Sequence, residues 1–405
     1  MIVLEFKLKG YKHQLQAIDN AVRTVQFIRN KCIRLWMDSK GVGKKDIYAY
    51  TTTLRKEFKY VEALNSTACQ QAGERAWSSI AKFYDNCKKK VKGKKGYPKF
   101  KKNVRSVEYK QSGWKLSENR KRITFTDKNG IGTLTLKGGW DLNFYPIDQI
   151  KRVKIVRRAD GYYAQFSINV DVRKYVKQLE PTQECVGIDV GLKYFYADSK
   201  GNTVDIPQYY RQAEKQLNRA NRKKSKKFRR GQKQSNNYLK ARDRYARKHL
   251  RVSRQRKGFV QTEALRVIQS NDLVAYEDLK VKNMVRSKLA KTINDASWSA
   301  FRSWLEYFGW KYGKVTVAVP PQNTSQNCSN CGKKVNKSLS TRTHKCSHCG
   351  YEVDRDINAA INILQLGLRT VGHTGTYAWG VLPSWAVGES LLSNGEVLNQ
   401  ESSRL

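Results

Sequence analysis

Residues 2–9 alternate: Leu4, Phe6 and Leu8 fall on one face, and Glu5, Lys7 and Lys9 on the other. That period of two predicts a half-buried strand. From Lys12 the period lengthens, with Leu15, Ile18, Val22, Val25, Ile28, Cys32 and Leu35 recurring at three- and four-residue steps, which predicts an amphipathic helix. A second helical pattern runs from about Ala63 to Val91 through Ala68, Ala72, Ala76, Ile80, Phe83 and Cys87. Cys32 and Cys87 thus fall at apolar positions, where a thiol behaves as a small hydrophobe. Between 105 and 172 the signals return to strands: RITFT from Arg122, GTLTL from Gly132, VKIV from Val153 and YYAQFSINV from Tyr162. Asp127–Gly130 and Asp160–Gly161 supply hairpin-type turns. The first half therefore reads as a small β-barrel or sheet opened by residues 2–9, with a helical insertion at roughly 11–100.

A polar linker through Pro181 leads to an apolar strand, Val186–Val190, that carries one aspartate, Asp189, before Gly191 and a second strand. An acid in an apolar run is costly unless a cation or hydrogen bonds satisfy it. Taken alone, Asp189 fits a turn cap as well as a metal ligand. Leu273–Glu277 repeats the arrangement with the acid at the strand's end, and Asp278–Met284 follows as a turn. Trp298, Phe301, Leu305 and Phe308 mark an aromatic-faced core helix, and Val315–Val319 a further buried strand before Pro320. From Ile357 the run Ala360, Ile361 and Leu364 forms a helix face, with Asp354 and Asp356 at its start. One of these two is expected to cap the helix, leaving the other free as a ligand.

Charge narrows the partners. The chain of 405 residues carries 79 Lys and Arg against 34 Asp and Glu, a net charge of +45, and such a balance calls for a polyanion. No run of about 18 apolar residues is present, so a membrane-spanning role is not expected. No charged-then-apolar leader follows Met1, so secretion is not expected either. Nucleic acid is the favoured partner. Residues 211–257 hold twenty Lys or Arg against Glu214 and Asp243, broken by GQKQSNN from Gly231 into two helices. Sparse apolar anchors (Leu217, Tyr238, Leu239, Tyr245, Leu250, Val252) separate this arm from a freely solvated charge run. Lys223, Lys224, Lys226, Lys227, Arg229 and Arg230 are its expected phosphate contacts. Six lysines between Lys88 and Lys95, with Lys88, Lys89 and Lys90 at a helix end, exceed what the helix dipole uses and are also read as phosphate contacts. Such groups give affinity and salt dependence without reading sequence.

Four of the eight cysteines are scattered, which fits a reducing interior rather than a disulfide scaffold. The other four form two knuckles, Cys328–Cys331 and Cys346–Cys349, fourteen residues apart and each followed by a glycine. Four thiolates complete a tetrahedral Zn²⁺ with no open position, a structural site. His344 and His348 are spare donors. The second half also offers Asp189, Glu277 and a helix-start aspartate, in that order. Hard oxygen ligands select Mg²⁺ or Mn²⁺ over zinc. Two such ions about 3.5–4 Å apart activate a water and stabilise the leaving oxygen of a phosphodiester.

GIDVGLKYF, AYEDLKVKNM, NTSQNCSNCG with CSHCG, and DRDINAAINI resemble, in order, the nuclease and zinc-ribbon signatures of the TnpB family of insertion-sequence proteins, related to compact type V CRISPR effectors. The likeness is strong over 185–364 and looser earlier, through YKHQLQAIDN, NKCIRLW and KGYPKF. It implies a multidomain α+β and α/β chain: a wedge-like β-barrel (1–10 and 101–180) with an inserted helical recognition lobe (11–100), then a RuvC-like, RNase H-type nuclease (181–322 and 351–366). A zinc ribbon (323–350) is inserted in the nuclease, and a flexible tail (367–405) is expected from its Ser, Gly and Asn content. The resemblance implies that Asp189, Glu277 and Asp356 are the catalytic acids and Mg²⁺ ligands. Asp356 is preferred to Asp354 because the family's acid lies two residues before an asparagine, here Asn358. It implies RNA-guided cleavage of double-stranded DNA beside a short transposon-associated motif, with a guide RNA encoded elsewhere, by a monomer in the cytoplasm of a prokaryotic cell, associated with the nucleoid. In such systems base pairing reads the target and the protein reads shape and a short motif. A strand-joining transposase and a repressor that binds without cutting are the alternatives.

Overall fold

A computed structural model describes residues 1–285, 289–338 and 341–371, which divide into two compact units, one ending at Val172 and the other beginning at Arg173. In the first unit, β1 (Ile2–Lys9) is followed by helices α1 (Lys12–Asp38), α2 (Lys44–Glu57), α3 (Lys59–Glu62) and α4 (Ser66–Lys88). Six strands follow: β2 (Ser106–Lys110), β3 (Trp114–Leu116), β4 (Arg122–Phe125), β5 (Thr133–Lys137), β6 (Ile150–Arg158) and β7 (Gly161–Ile168). They join β1 in one antiparallel sheet of order β2-β6-β7-β1-β5-β4-β3. The sheet curls until side chains near its opposite edges meet, the rings of Tyr109 on β2 and Phe125 on β4 lying 4.8 Å apart. Its edge strands β2 and β3 do not pair, so of the barrel or sheet that the strand pattern allowed it is a curled sheet, a half-barrel short of the β-barrel that the resemblance implied.

The helices of this unit depart from the pattern in instructive places. α2 went unread because it buries only Ile47, Thr51 and Leu54, too few apolar positions to set a period. α4 spans 66–88 rather than 63–91, its start fixed by Asn65, whose side chain accepts from Thr67 N. Cys32 is buried, as its position predicts, but Cys87 is exposed, because it lies in the last turn of α4, past the helix's last buried residue, Ile80. Lys88, Lys89 and Lys90 are exposed, and Lys89 pairs with Asp85 at 3.0 Å.

The second unit is built on β8 (Cys185–Asp189), β9 (Tyr194–Asp198) and β10 (Thr203–Asp205), a meander, followed by helices α5 (Tyr209–Ser225) and α6 (Asn236–Gln269). Next come β11 (Leu273–Glu277), α7 (Val281–Met284), α8 (Ala290–Ala296), α9 (Trp298–Tyr312) and β12 (Val315–Val319). A hairpin of β13 (Thr343–Lys345) and β14 (Glu352–Asp354) then leads directly into α10 (Arg355–Thr370). The five-stranded sheet has the order β10-β9-β8-β11-β12, with β8, β11 and β12 parallel. Ile188, Phe195, Val260, Ala264, Phe301 and Leu305 share one core, where α6 and α9 meet the sheet. Ala275, Val317 and Ile363 belong to the other, under α10.

Gly187 lets α10 lie this close: a Cβ there would stand 2.1 Å from the Ala360 carbonyl oxygen. Continued burial of Ile363 and Gly367 carries α10 to Thr370, so residues 367–370 are helical rather than the start of a tail. The tail expected beyond, with Trp379 and Trp385, lies outside the described residues. Asp295, buried on α8, ties both basic helices down: its carboxylate accepts from Tyr210 N at 3.0 Å and from Arg256 Nε at 2.7 Å. No helix among the described residues is long and apolar enough to cross a membrane.

Candidate active site

Strand register brings the first two acids together. β8 and β11 run parallel with Ile188 opposite Tyr276, so Asp189 and Glu277, the next residue of each, stand side by side at the carboxyl ends of neighbouring strands. In open α/β sheets this edge is where ligands bind. The third acid arrives on α10, which crosses β8 by way of Gly187. Asp354 is the residue that caps this helix, its Oδ1 accepting from Asp356 N at 2.8 Å. Asp356, one step inside, is buried and free of that duty. A Cβ placed on Gly191, just past β8, would lie 3.9 Å from Asp356 Oδ2.

Electrostatics register the crowding. The Asp189 carboxyl is held well above the ordinary carboxylate range, first by removal from water and then by the charges of Glu277 and Asp356. Arg355 opposes this rise and Asp354 adds to it. Glu277 is also pushed up by burial, against which Thr324 donates a hydroxyl hydrogen bond at 2.5 Å to Oε1. Asp356 is flanked by Arg355, whose Nη2 lies 3.2 Å from Oδ1, and by Arg342, 4.0 Å from Oδ2. Lys193 reaches Asp354 Oδ2 at 3.5 Å. Three acids on one edge, with burial penalising the charge of Asp189 and Glu277, fit a hard cation, since a divalent ion offsets that cost. Their oxygens do not gather within 4.8 Å of one another, as those of ligands to a single ion would.

The four cysteines do converge. Their Sγ atoms all lie within 4.8 Å of one another, the one such group of His, Cys, Asp or Glu ligand atoms among the described residues. Cys328 to Cys349 is 3.7 Å and Cys331 to Cys346 is 3.6 Å. A tetrahedral zinc with Zn–S of about 2.3 Å sets its sulfurs about 3.8 Å apart, so the set fits that ion. Each knuckle closes on its glycine: Gly332 N donates to Cys328 O at 2.8 Å and Gly350 N to Cys346 O at 3.0 Å, both with φ near +73° to +74°. His344 is not part of this group. It is fully buried beneath the hairpin, with Nδ1 against Lys337 Nζ.

The basic arm folds as two paired helices. Lys223 and Lys224 lie in the last turn of α5, and Lys226, Lys227, Arg229 and Arg230 follow in the connection to α6. All are exposed except Lys224, which is half-buried with its ammonium 4.4 Å from the Tyr245 ring centre. Arg342, Arg355, Lys193 and Thr324 were not singled out by sequence. For three of them the available signal was a place inside the quoted motifs, Thr324 in NTSQNC, Lys193 in GLKYF and Arg355 in DRD, whereas Arg342 lies in none of them.

Comparison with known proteins adds relatives to this geometry. Residues 165–288 match the family described as a probable transposase, and residues 298–363 match the Cas12f1-like TNB domain. The chain is 29% identical to a putative RNA-guided DNA endonuclease of Streptomyces pristinaespiralis, over 90% of this chain and 89% of that protein. It is 26% identical to the putative RNA-guided DNA endonuclease InsQ of Escherichia coli K12, over 84% of this chain and 86% of the relative. Among solved structures, the protein of a Cas12f1–sgRNA–target DNA complex shares the fold with a TM-score of 0.53 at 16% identity, over 87% of this chain and 83% of that one.

Proposed function

Because the chain belongs to the TnpB family, we propose that it is an RNA-guided DNA endonuclease of a mobile element, acting on duplex DNA beside a short transposon-associated motif. The observation that carries this reading is the register that sets Asp189 beside Glu277, with α10 adding Asp356. In this reading the second unit is a RuvC-like, RNase H-type nuclease domain with an inserted zinc ribbon. Asp189, Glu277 and Asp356 hold Mg²⁺ or Mn²⁺, and Cys328, Cys331, Cys346 and Cys349 hold Zn²⁺. Ions bound by the acids supply activation of water and stabilisation of the leaving oxygen of a phosphodiester. The protein's own contribution is to present three carboxylates on rigid elements. Arg342 and Arg355, now paired with Asp356, are placed to meet phosphate once that acid takes up a cation.

In the same reading the curled sheet of the first unit is the wedge-like element and α1–α4 the recognition lobe, and the protein works as a monomer in the cytoplasm of a prokaryotic cell, associated with the nucleoid. Lys88, Lys89 and Lys90, with Lys223, Lys224, Lys226, Lys227, Arg229 and Arg230, meet the phosphates of a guide RNA encoded elsewhere and of its DNA target. Purified protein with its co-expressed RNA, Mg²⁺ and a target library tests the reading by sequencing of the product ends. Cut ends that require the RNA are expected, and Asp189→Ala, Glu277→Ala or Asp356→Ala should each abolish them while sparing RNA binding. Cutting without RNA sinks the guided reading, joined ends favour a transposase, and a wild type that binds target without cutting it, unchanged by Asp189→Ala, favours a repressor.

A further inference from the structure

Three amides on one face of α10 hold the chain that leads into the first cysteine knuckle. Asn358 Nδ2 donates to Asn327 O at 2.8 Å, and its Oδ1 accepts from Ser329 N at 3.0 Å. Asn362 Nδ2 donates to both Thr324 O and Asn327 O at 2.8 Å, and Gln365 Nε2 to Ser329 O at 3.0 Å. These positions, three and four apart, form one stripe of the helix. At Asn358 and Asn362, both buried, aliphatic side chains would pack without the desolvation that amides cost. What amides add is direction, fixing the backbone of 324–329 relative to α10 through named bonds.

The segment's other contact points into the site. Thr324 is buried and follows Asn323, whose φ of +62° turns the chain after Pro321. Its hydroxyl lies 2.5 Å from Glu277 Oε1 and 3.4 Å from its alternative acceptor, Pro321 O. The β-branched side chain is stiff at χ1, so the hydroxyl holds one carboxylate oxygen, Oε1, and leaves Oε2 without a bond from it. We infer that Thr324 is the positioning residue of Glu277 and that Asn362 holds Thr324, forming a strut that sets the spacing between the acid on β11 and the acid on α10. This inference rests on the metal site proposed above.

Mn²⁺ titration followed by electron paramagnetic resonance tests it on the full chain, with zinc content and thermal unfolding measured alongside. Thr324→Val keeps the shape and removes the donor, whereas Thr324→Ser keeps the donor. Partners of metal ligands typically change affinity about 10–100-fold, so Thr324→Val should weaken Mn²⁺ binding at least about tenfold and Thr324→Ser less than about threefold. The Mg²⁺ concentration for half-maximal cleavage should rise in parallel while zinc content stays unchanged. Asn362→Ala should move both in the same direction, and in a Glu277→Ala background, which removes the acceptor, Thr324→Val should add nothing. Thr324→Val with the Mn²⁺ affinity of a Mn²⁺-binding wild type overturns the strut alone, as does an undiminished effect in the Glu277→Ala background. A wild type whose Mn²⁺ uptake is indifferent to Asp189→Ala overturns the proposed site and the strut with it.

Discussion

Replacing Gly187 with alanine should both destabilise the second unit and disable cutting. A methyl group there would sit 2.1 Å from Ala360 O, 2.6 Å from Leu364 N and 2.9 Å from Leu364 Cβ. Ordinary contact begins at 3.4 Å, so α10 must retreat by about 1.3 Å at Ala360. The obstacles are mostly backbone, which no rotamer change removes. Overpacking of this kind costs about 1–3 kcal/mol. Ala360 lies one helical turn beyond Asp356, so the retreat also moves that acid away from Asp189, and a misplacement of about 1 Å costs on the order of 100-fold in rate. Urea unfolding of the zinc-loaded chain and a cleavage time course read the two effects separately. Gly258→Ala is the control, since nothing lies within 4 Å of a Cβ there in the exposed interior of α6. It should gain about 0.5–1 kcal/mol of helix stability and cut normally. A Gly187→Ala protein within about 0.5 kcal/mol of wild type that cuts at the wild-type rate would refute the close packing of α10 on β8 as the element that brings Asp356 to Asp189.

Asp354→Ala should lower stability by about 1 kcal/mol through loss of the helix cap and leave cutting measurable, whereas Asp356→Ala abolishes it; activity lost only with Asp354 would reverse the two roles. Without divalent ions, Asp189 binds its proton more tightly folded than unfolded, so its contribution to stability is fully present below the ordinary aspartate value of about 3.9 and is lost as pH rises through the raised folded value. Asp189→Asn should therefore gain on wild type as pH rises, and parallel unfolding curves for the two across that range would contradict the rise that burial, and after it Glu277 and Asp356, imposes on Asp189. Removal of zinc by a chelator, or by Cys346→Ser, should loosen the 324–329 segment and raise hydrogen exchange there and at the start of α10, with the first unit's exchange unchanged.

Much of this protein could be read from its sequence because the governing signals are local. The alternation in 2–9, the apolar run before Asp189 and the spacing of the four cysteines each depend on neighbours a few residues apart, and steric period and ligand geometry act at that range. α2 escaped because three buried positions carry too little period, and Cys87 was misjudged because a helix's last turn can leave the core that its earlier turns enter. Whether the first sheet closed was also out of reach, since closure depends on pairing between β2 and β3, edge strands at opposite ends of the sheet.

The sequence by itself determined which residues are acids and thiols, that the chain seeks a polyanion, and that two apolar strands carry carboxylates. Tertiary structure decided which of those groups meet. Parallel register set Asp189 beside Glu277, Gly187 admitted α10 and with it Asp356, and Asp354 was taken up as the cap. Only the fold brought the Thr324 hydroxyl, 47 residues along the chain, to Glu277. The physical reason is that hydrogen bonds and charge repulsion act over a few ångströms of space, and it is the packing of strands and helix that brings residues distant in sequence within that range.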